Sequence, residues 1–237
     1  MPTALFKTLT ANQPKHIIAV ARVSDMTSIV LAGGRSSRLG KEKHAVVVAE
    51  KSLIERTIGH LRPLSSEILI VISKRQSRSS FSSYAEAKTV VDLYPGKSSL
   101  GGIYTGLAYS TSFHNLVVAC DMPFLNLDLL RYMIDLSPDF DVVIPRIGEL
   151  WEPLHAVYTK NCLLPMERLL KAGNLKVTDF LDSVRVRHVD EDEIDRFDPE
   201  HLSFFNINTQ ADLERARMLA SQEITQRNYA GRRQEEF

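Results

Sequence analysis

Ser28-Ile29-Val30-Leu31-Ala32-Gly33-Gly34-Arg35-Ser36-Ser37-Arg38-Leu39-Gly40 is the stretch on which the reading of the whole chain turns. Its first four residues make a short apolar run that ends abruptly in paired glycines, the pattern of a buried strand emptying into a ligand loop. Gly33 and Gly34 let backbone N–H groups approach a bound group closely, and Ser36 and Ser37 add hydroxyl donors. Arg35, Arg38 and, a little further on, Lys43 add three positive charges. A polyphosphate suits such a loop. It is neither the P-loop, which needs Gly-Lys-Ser/Thr at a helix start, nor the G-x-G-x-x-G dinucleotide fingerprint. A glycine turn with solvated arginines would account for the same residues if the loop stood alone. Its position after a first strand favours the ligand.

Working outward, short apolar runs alternate with amphipathic stretches, which predicts strands and crossover helices in an open, mostly parallel sheet of the α/β class. Apolar runs at 68–72, 89–91 and 116–120 lack polar alternation, as strands covered on both faces do. Ser52-Leu53-Ile54-Glu55 is a capping box opening a helix through Leu61, which Pro63 ends. Gly101-Gly102 is expected to start a helix over 103–109, and Asn126 to cap another through Ile134. A strand is expected over 141–144, stopping before Pro145. Residues 155–158 and 185–189 alternate like strands, and Pro165 suits the first turn of a helix that Gly173 stops. Phe204-Phe205-Asn206-Ile207 precedes a last helix, with Thr209 and Asp212 in capping-box spacing.

These elements form one domain over 26–220. Residues 1–25 have no clear period, and Met26 sits where regularity begins. That stretch is either a loosely attached N-terminal extension or an artefact of a start upstream of Met26. From about Ser221 to 237 the chain turns polar and is expected to fray.

The 237 residues carry 29 basic and 29 acidic side chains. Net zero charge argues against a nucleic-acid coat or a polybasic membrane binder, so any anion site must be local. Cys120 and Cys162 are the only cysteines, without a C-x-x-C pair. Reduced thiols in the cytoplasm fit best. No apolar run approaches the ~18 residues of a membrane span, and the N-terminus lacks the apolar core of a secretory signal.

Asp121 follows the apolar run Leu116-Val117-Val118-Ala119-Cys120, at the end of the sheet where ligands of open α/β folds sit. Magnesium is its natural partner, since a hard divalent cation takes one or two carboxylates with phosphate oxygens and water. A turn residue before Pro123 is the plainer alternative. Asp92 ends its strand in the same manner. The loop Tyr94-Pro95-Gly96-Lys97-Ser98-Ser99-Leu100-Gly101-Gly102 can lay backbone along a planar base or aim helix N–H groups at an anion. Asn206 and Asn208 are ligands to a metal or substrate, or they cap the last helix; taken alone, capping is the better reading. The serine-rich basic stretch 73–83 reads as a solvated loop. The scattered histidines show no zinc spacing, no G-x-S-x-G elbow exists, and Trp151 beside Glu152-Pro153 reads as packing rather than a substrate border.

Together, the first loop with Lys43, then Asp92, Leu100-Gly101-Gly102, Asp121-Met122-Pro123 and Asn206-Ile207-Asn208-Thr209 resemble the molybdenum cofactor guanylyltransferases over residues 27–220. The order and spacing of five blocks carry the resemblance, because the first loop alone is shared with many sugar-nucleotide and cytidylyl transferases. It implies a three-layer Rossmann-like nucleotidyltransferase fold with a mostly parallel central sheet. It implies transfer of GMP from GTP to the phosphate of molybdopterin, with Mg2+ as cofactor, pyrophosphate as by-product, and molybdoenzymes or their chaperones as recipients. By position it puts Leu31, Ala32 and Gly33 on the guanine nucleotide, Lys43 at its phosphates, Asp92 on the nucleotide, and Asp121 on both nucleotide and magnesium. The expected catalytic set is Arg38, Lys43 and Asp121.

Two positions depart from the family pattern: Glu42 precedes the lysine where Asp is common, and Ser99 stands where proline is frequent. Both touch the shape of the base loop more than the phosphate and metal chemistry. Rivals are a cytidylyltransferase on the same pterin, another nucleotidyltransferase of this fold, and a non-catalytic nucleotide or cofactor carrier.

Overall fold

The computed structural model describes residues 26–33 and 42–234, with side chains to 222. The expected extension 1–25 lies outside these residues, and so does most of the arginine-bearing loop. In chain order the elements are β1 (Met26–Leu31), β2 (Val47–Val48), β3 (Lys51–Ser52), α1 (Leu53–Leu61), β4 (Glu67–Ile72), β5 (Lys88–Val91), α2 (Ser98–Tyr109), β6 (His114–Ala119), α3 (Leu127–Leu136), β7 (Val142–Ile147), β8 (Leu150–Trp151), β9 (His155–Thr159), α4 (Leu163–Ala172), β10 (Val186–Asp190), α5 (Glu191–Ile194) and α6 (Gln210–Gln234).

The main sheet runs β10-β7-β9-β6-β1-β4-β5, with β8 paired to β7, while β2 and β3 make a separate ribbon. β1 is parallel to β4 and β6, β4 to β5, and β7 to β10. β9 lies antiparallel between β6 and β7. The sheet is therefore mostly parallel. The unbroken apolar runs have the physical cause expected of them, since both faces are covered. Ile70 and Ile72 enter a core with Ile54, Ile58 and Leu61 of α1 and Leu129, Leu130 and Met133 of α3. Leu69 and Val71 face the other way onto Ile103 and Leu107 of α2 and Met166 and Leu170 of α4. Three layers result.

Local punctuation acts as read. Ser52 and Glu55 form the reciprocal capping box of α1, Asn126 Oδ1 accepts from the Asp128 and Leu129 N–H groups at 3.0 Å each, and Gly173 closes α4 in a left-handed conformation at φ 75°.

Three expectations are corrected. Helix α2 begins at Ser98, ahead of the glycine pair; the glycines serve close approach, not helix initiation. A Cβ on Gly101 would lie 2.8 Å from the Tyr94 carbonyl oxygen and one on Gly102 3.3 Å from Leu31. Pro145 lies inside β7 instead of ending it, because its carbonyl accepts from the Glu152 N–H at 3.0 Å while β9 pairs with β7 only at Val142 and Val143. The stretch 73–83 is largely exposed, as the solvated-loop reading has it, and is held at one point by Phe81, which is 1% exposed in the core beneath α1. Helix α6 spans Gln210–Gln234 and thus runs through Ser221, where a polar tail was expected to begin.

Candidate active site

The chain leaves β1 in one direction toward β4 and β5, and the later strand β6 returns on the opposite side of β1. That reversal opens a crevice at the carboxyl ends of the strands. Here a cavity of about 150 Å³ is lined by Leu31, Ala32 and Gly33 after β1, Asp92 after β5, Cys120 and Asp121 after β6, and Lys43. Every expected site residue except Arg38 therefore converges on one crevice; Arg38, with Gly34, Arg35, Ser36 and Ser37, lies outside the described residues.

Its floor is pinned by backbone. The Ala32 N–H donates to Val71 O at 2.9 Å and the Cys120 N–H to Leu31 O at 3.2 Å, continuing the parallel ladder past the strand ends. Gln76 Nε2 donates to Ala32 O at 3.1 Å, while Gln76 Oε1 accepts from the Ser73 N–H at 2.9 Å. Gln76 is thus a brace for the chain leaving β1 that the serine-rich, basic composition around it concealed. The close approach explains Gly33 as well: a Cβ there would sit 3.0 Å from the Ser73 nitrogen.

Lys43 is the centre of the charged half. Its Nζ donates to Asp121 Oδ2 at 2.6 Å and to Asn208 Oδ1 at 2.6 Å. The pair is largely shielded, with side chains 16% and 15% exposed. Next to Lys43, the His44 ring packs against Phe81 with centroids 4.2 Å apart. Burial lowers the His44 pKa, with Glu42 pulling the other way.

The C-terminal asparagines reach the site because the Ile207 N–H donates to Asp121 O at 3.0 Å. Capping of α6, the plainer reading for them, belongs to other residues. Thr209 Oγ1 accepts from the Asp212 N–H at 3.1 Å, and Asp212 Oδ2 accepts from the Thr209 and Asn208 N–H groups at 2.8 and 3.0 Å. With the helix end satisfied by Thr209 and Asp212, the Asn208 side chain is free to face Lys43, and Asn206 Nδ2 turns back to Phe204 O at 3.0 Å.

Asp92 organises the other side of the crevice. Its Oδ1 accepts from the Tyr94 N–H at 2.9 Å and lies 3.0 Å from Thr105 Oγ1, which also lies 2.8 Å from the Gly101 carbonyl. This carboxylate shapes the turn into α2 and still lines the crevice. Thr105, fully buried, was not legible as a site residue, since a threonine inside a helix carries no signal of its own.

No group of three or more His, Cys, Asp or Glu side chains able to hold a metal occurs among the described residues. The donor set that does exist is a carboxylate oxygen and an amide oxygen converging on one cation, the Lys43 ammonium. Hard oxygen donors of this kind, completed by phosphate oxygens and water, suit Mg2+. No described helix is long and apolar enough to cross a membrane.

Comparison with known proteins agrees with this geometry. Residues 28–189 match the MobA-like NTP transferase domain. A protein of Pelotomaculum thermopropionicum named as a probable molybdenum cofactor guanylyltransferase is 38% identical over 85% of this chain and 96% of its own length. A molybdenum cofactor guanylyltransferase of Desulfosudis oleivorans is 32% identical over 81% and 94%. Among solved structures, molybdopterin-guanine dinucleotide biosynthesis protein A of Archaeoglobus fulgidus superposes with TM-score 0.73 at 31% identity, covering 83% of this chain and 99% of that one. The crevice, the order of its residues along the chain and these relatives lead to one assignment: the chain is a nucleotidyltransferase that belongs to the MobA-like NTP transferase family, among the molybdenum cofactor guanylyltransferases.

Proposed function

We propose that the protein transfers GMP from GTP to the terminal phosphate of molybdopterin, releasing pyrophosphate and forming the guanine dinucleotide of the molybdenum cofactor. The observation that carries this reading is the Lys43 ammonium held between Asp121 and Asn208 at the switch point of the sheet. Family membership supports the choice of substrates.

A phosphate oxygen of the acceptor attacks the α-phosphorus of GTP; a new P–O bond forms there, and the bridging bond to the β-phosphorus breaks. The departing pyrophosphate takes the electron pair. Such a transfer needs positioning and charge stabilisation more than a side-chain nucleophile. The glycine loop offers backbone N–H groups to the nucleotide. Lys43, with Arg38, offsets the charge that builds on pyrophosphate. Asp121 and the Asn208 amide oxygen would hold Mg2+, whose chemistry is to neutralise phosphate oxygens and orient them. With a cation held there, the Lys43 ammonium would be released to pair with the phosphates. Leu31, Ala32, Gly33 and Asp92 contact the nucleotide. Molybdoenzymes or their chaperones would receive the product, and two buried thiols suit a cytoplasmic setting.

The test is pyrophosphate release and dinucleotide formation with molybdopterin, Mg2+ and each of GTP, CTP, ATP and UTP in parallel. Turnover with GTP alone is expected. Turnover with CTP would keep the mechanism and overturn the base; silence with all four, despite GTP binding, would make the protein a carrier.

A further inference from the structure

Fully buried in the middle of α2, Thr105 does not itself line the crevice, yet its hydroxyl reaches out of the helix to the segment that does. A threonine inside a helix commonly returns its proton to the carbonyl four residues back, and Thr105 Oγ1 lies 2.8 Å from Gly101 O accordingly. Its other partners come from outside the helix. The Leu93 N–H donates to Oγ1 at 3.0 Å, and Oγ1 lies 3.0 Å from Asp92 Oδ1. One proton cannot serve both acceptors at once. The Gly101 carbonyl also takes the helix's own bond from the N–H of residue 105, whereas a bond to the carboxylate is charge-assisted and the stronger of the two. The proton therefore belongs to Asp92.

The consequence falls on that carboxylate. Asp92 is fixed at its backbone, where the N–H donates to Ile72 O at 2.8 Å, and at Oδ1, which accepts from the Tyr94 N–H at 2.9 Å as well as from Thr105. The Tyr94 bond is local, an Asx turn that travels with its own loop. Thr105 ties the same oxygen to α2, whose Ile103 and Leu107 are packed against the sheet. Packing closes this side of the carboxyl, since a Cβ on Gly101 would come within 3.4 Å of Oδ1. Oδ2, by contrast, has no hydrogen-bond partner among the described residues, and Asp92 lines the crevice. One oxygen is occupied in holding the side chain; the other is left for a ligand.

Resting on the transfer reading above, in which Asp92 contacts the nucleotide, we propose that Thr105 is a positioning residue for that contact. It touches no substrate. Its hydroxyl sets the orientation in which Asp92 presents Oδ2, so nucleotide affinity depends on a side chain buried one layer behind the crevice.

The experiment is calorimetric titration with GTP and Mg2+ of the wild type, Thr105→Val, Thr105→Ser, Asp92→Asn and the double variant Thr105→Val/Asp92→Asn, with steady-state kinetics in GTP at saturating molybdopterin. Valine keeps the shape and removes the hydroxyl. Thr105→Val is expected to weaken GTP binding about tenfold and to raise KM for GTP by a similar factor, with kcat within about threefold, because a ground-state contact is lost. Thr105→Ser, which keeps the hydroxyl, is expected to recover most of that loss. In the Asp92→Asn background the same Thr105→Val change should cost less than about twofold, since the contact it serves is already gone. Thr105→Ala, which leaves room where valine fills it, carries the same comparison if the valine variant does not fold.

Unchanged GTP affinity and KM in folded Thr105→Val would overturn the positioning role and leave the transfer reading intact. Equal losses with and without the Asp92 carboxylate would also overturn it, because Thr105 would then act on the fold at large. A wild type whose GTP affinity depends on Thr105 through Asp92, yet which makes no dinucleotide, would support the positioning role and overturn the transfer reading. A wild type that binds no GTP would overturn both.

Discussion

Lys43 and Asn208 stand 165 positions apart in the chain, yet Nζ of one donates to Oδ1 of the other at 2.6 Å. The contact ties the end of the first loop to the start of the last helix, across Asp121. Lys43 is thus positioned by the C-terminal segment, and the site is complete only when the sheet has closed around β1.

Removal of the charges at this junction separates chemistry from folding. Lys43→Ala and Asp121→Ala are each expected to fold normally and to lose at least about 100-fold in turnover, ~2.7 kcal/mol of barrier. Circular dichroism and single-turnover pyrophosphate release check both halves. A variant at wild-type rate would remove that residue from the mechanism.

Asn208 and Thr209 should fail in different ways. Asn208→Ala deletes a charge-assisted hydrogen bond on the lysine, so kcat/KM is expected to drop about tenfold, ~1.4 kcal/mol, at near-normal stability. Thr209→Ala deletes half of a helix cap and should cost about 1 kcal/mol in urea unfolding with a smaller effect on rate. The two measurements made on both variants would show crossed effects; parallel effects would mean that Asn208 is structural.

Gly101→Ala tests the backbone approach under the turn into α2. Its methyl would meet the Tyr94 carbonyl at 2.8 Å, which is backbone and cannot swing away. A loss of roughly 1–3 kcal/mol is expected, read as a shift of the denaturation midpoint, together with a raised KM for the nucleotide because Asp92 is bonded into the same turn.

Acid sensitivity has a named source. His155 is fully buried, its two ring nitrogens have no hydrogen-bond partner, and its ring packs 4.8 Å from Phe204. Burial lowers its pKa to about 4, opposed only weakly by Asp198. The unfolded chain takes up a proton near pH 6.5 and the folded one does not until about pH 4, so stability present above pH 6.5 is lost as pH falls through that window. The loss is on the order of 3 kcal/mol at pH 4. His44 and His188 are shifted in the same direction, so the comparison must be differential. His155→Leu should match or exceed the wild type at pH 7, since no partner is orphaned, and show a flatter decline between pH 6.5 and 4. Equal slopes for the two proteins would assign the effect elsewhere.

Much of this was legible before the fold. The runs at 68–72 and 116–120 announced strands covered on both faces, Ser52 with Glu55 and Asn126 announced helix starts, and the glycines after Leu31 announced a ligand loop. Residues near in sequence decide these features, because period, caps and turns depend on what sits within a few positions. What stayed hidden depends on distant partners. Gln76 looked like part of a solvated basic loop until its amide met the Ala32 carbonyl. Asn208 looked like a cap until Thr209 and Asp212 took that work. Trp151, read as packing, does pack against the core that α2 and α4 cover, and only the pairing of β8 with β7 puts a cavity beside it.

By itself, the sequence determined the α/β class, the order of strands and helices, and the residue types for binding a nucleotide at strand ends, because hydrophobic period and local hydrogen-bonding competence are written residue by residue. Only the tertiary structure decided that β6 and β4 flank β1, that Lys43 meets Asp121 and Asn208, and that a second, larger cavity opens beside Trp151. Period says which face of a strand is buried but not which strand lies next to it, and that choice comes from the whole set of long-range contacts forming together.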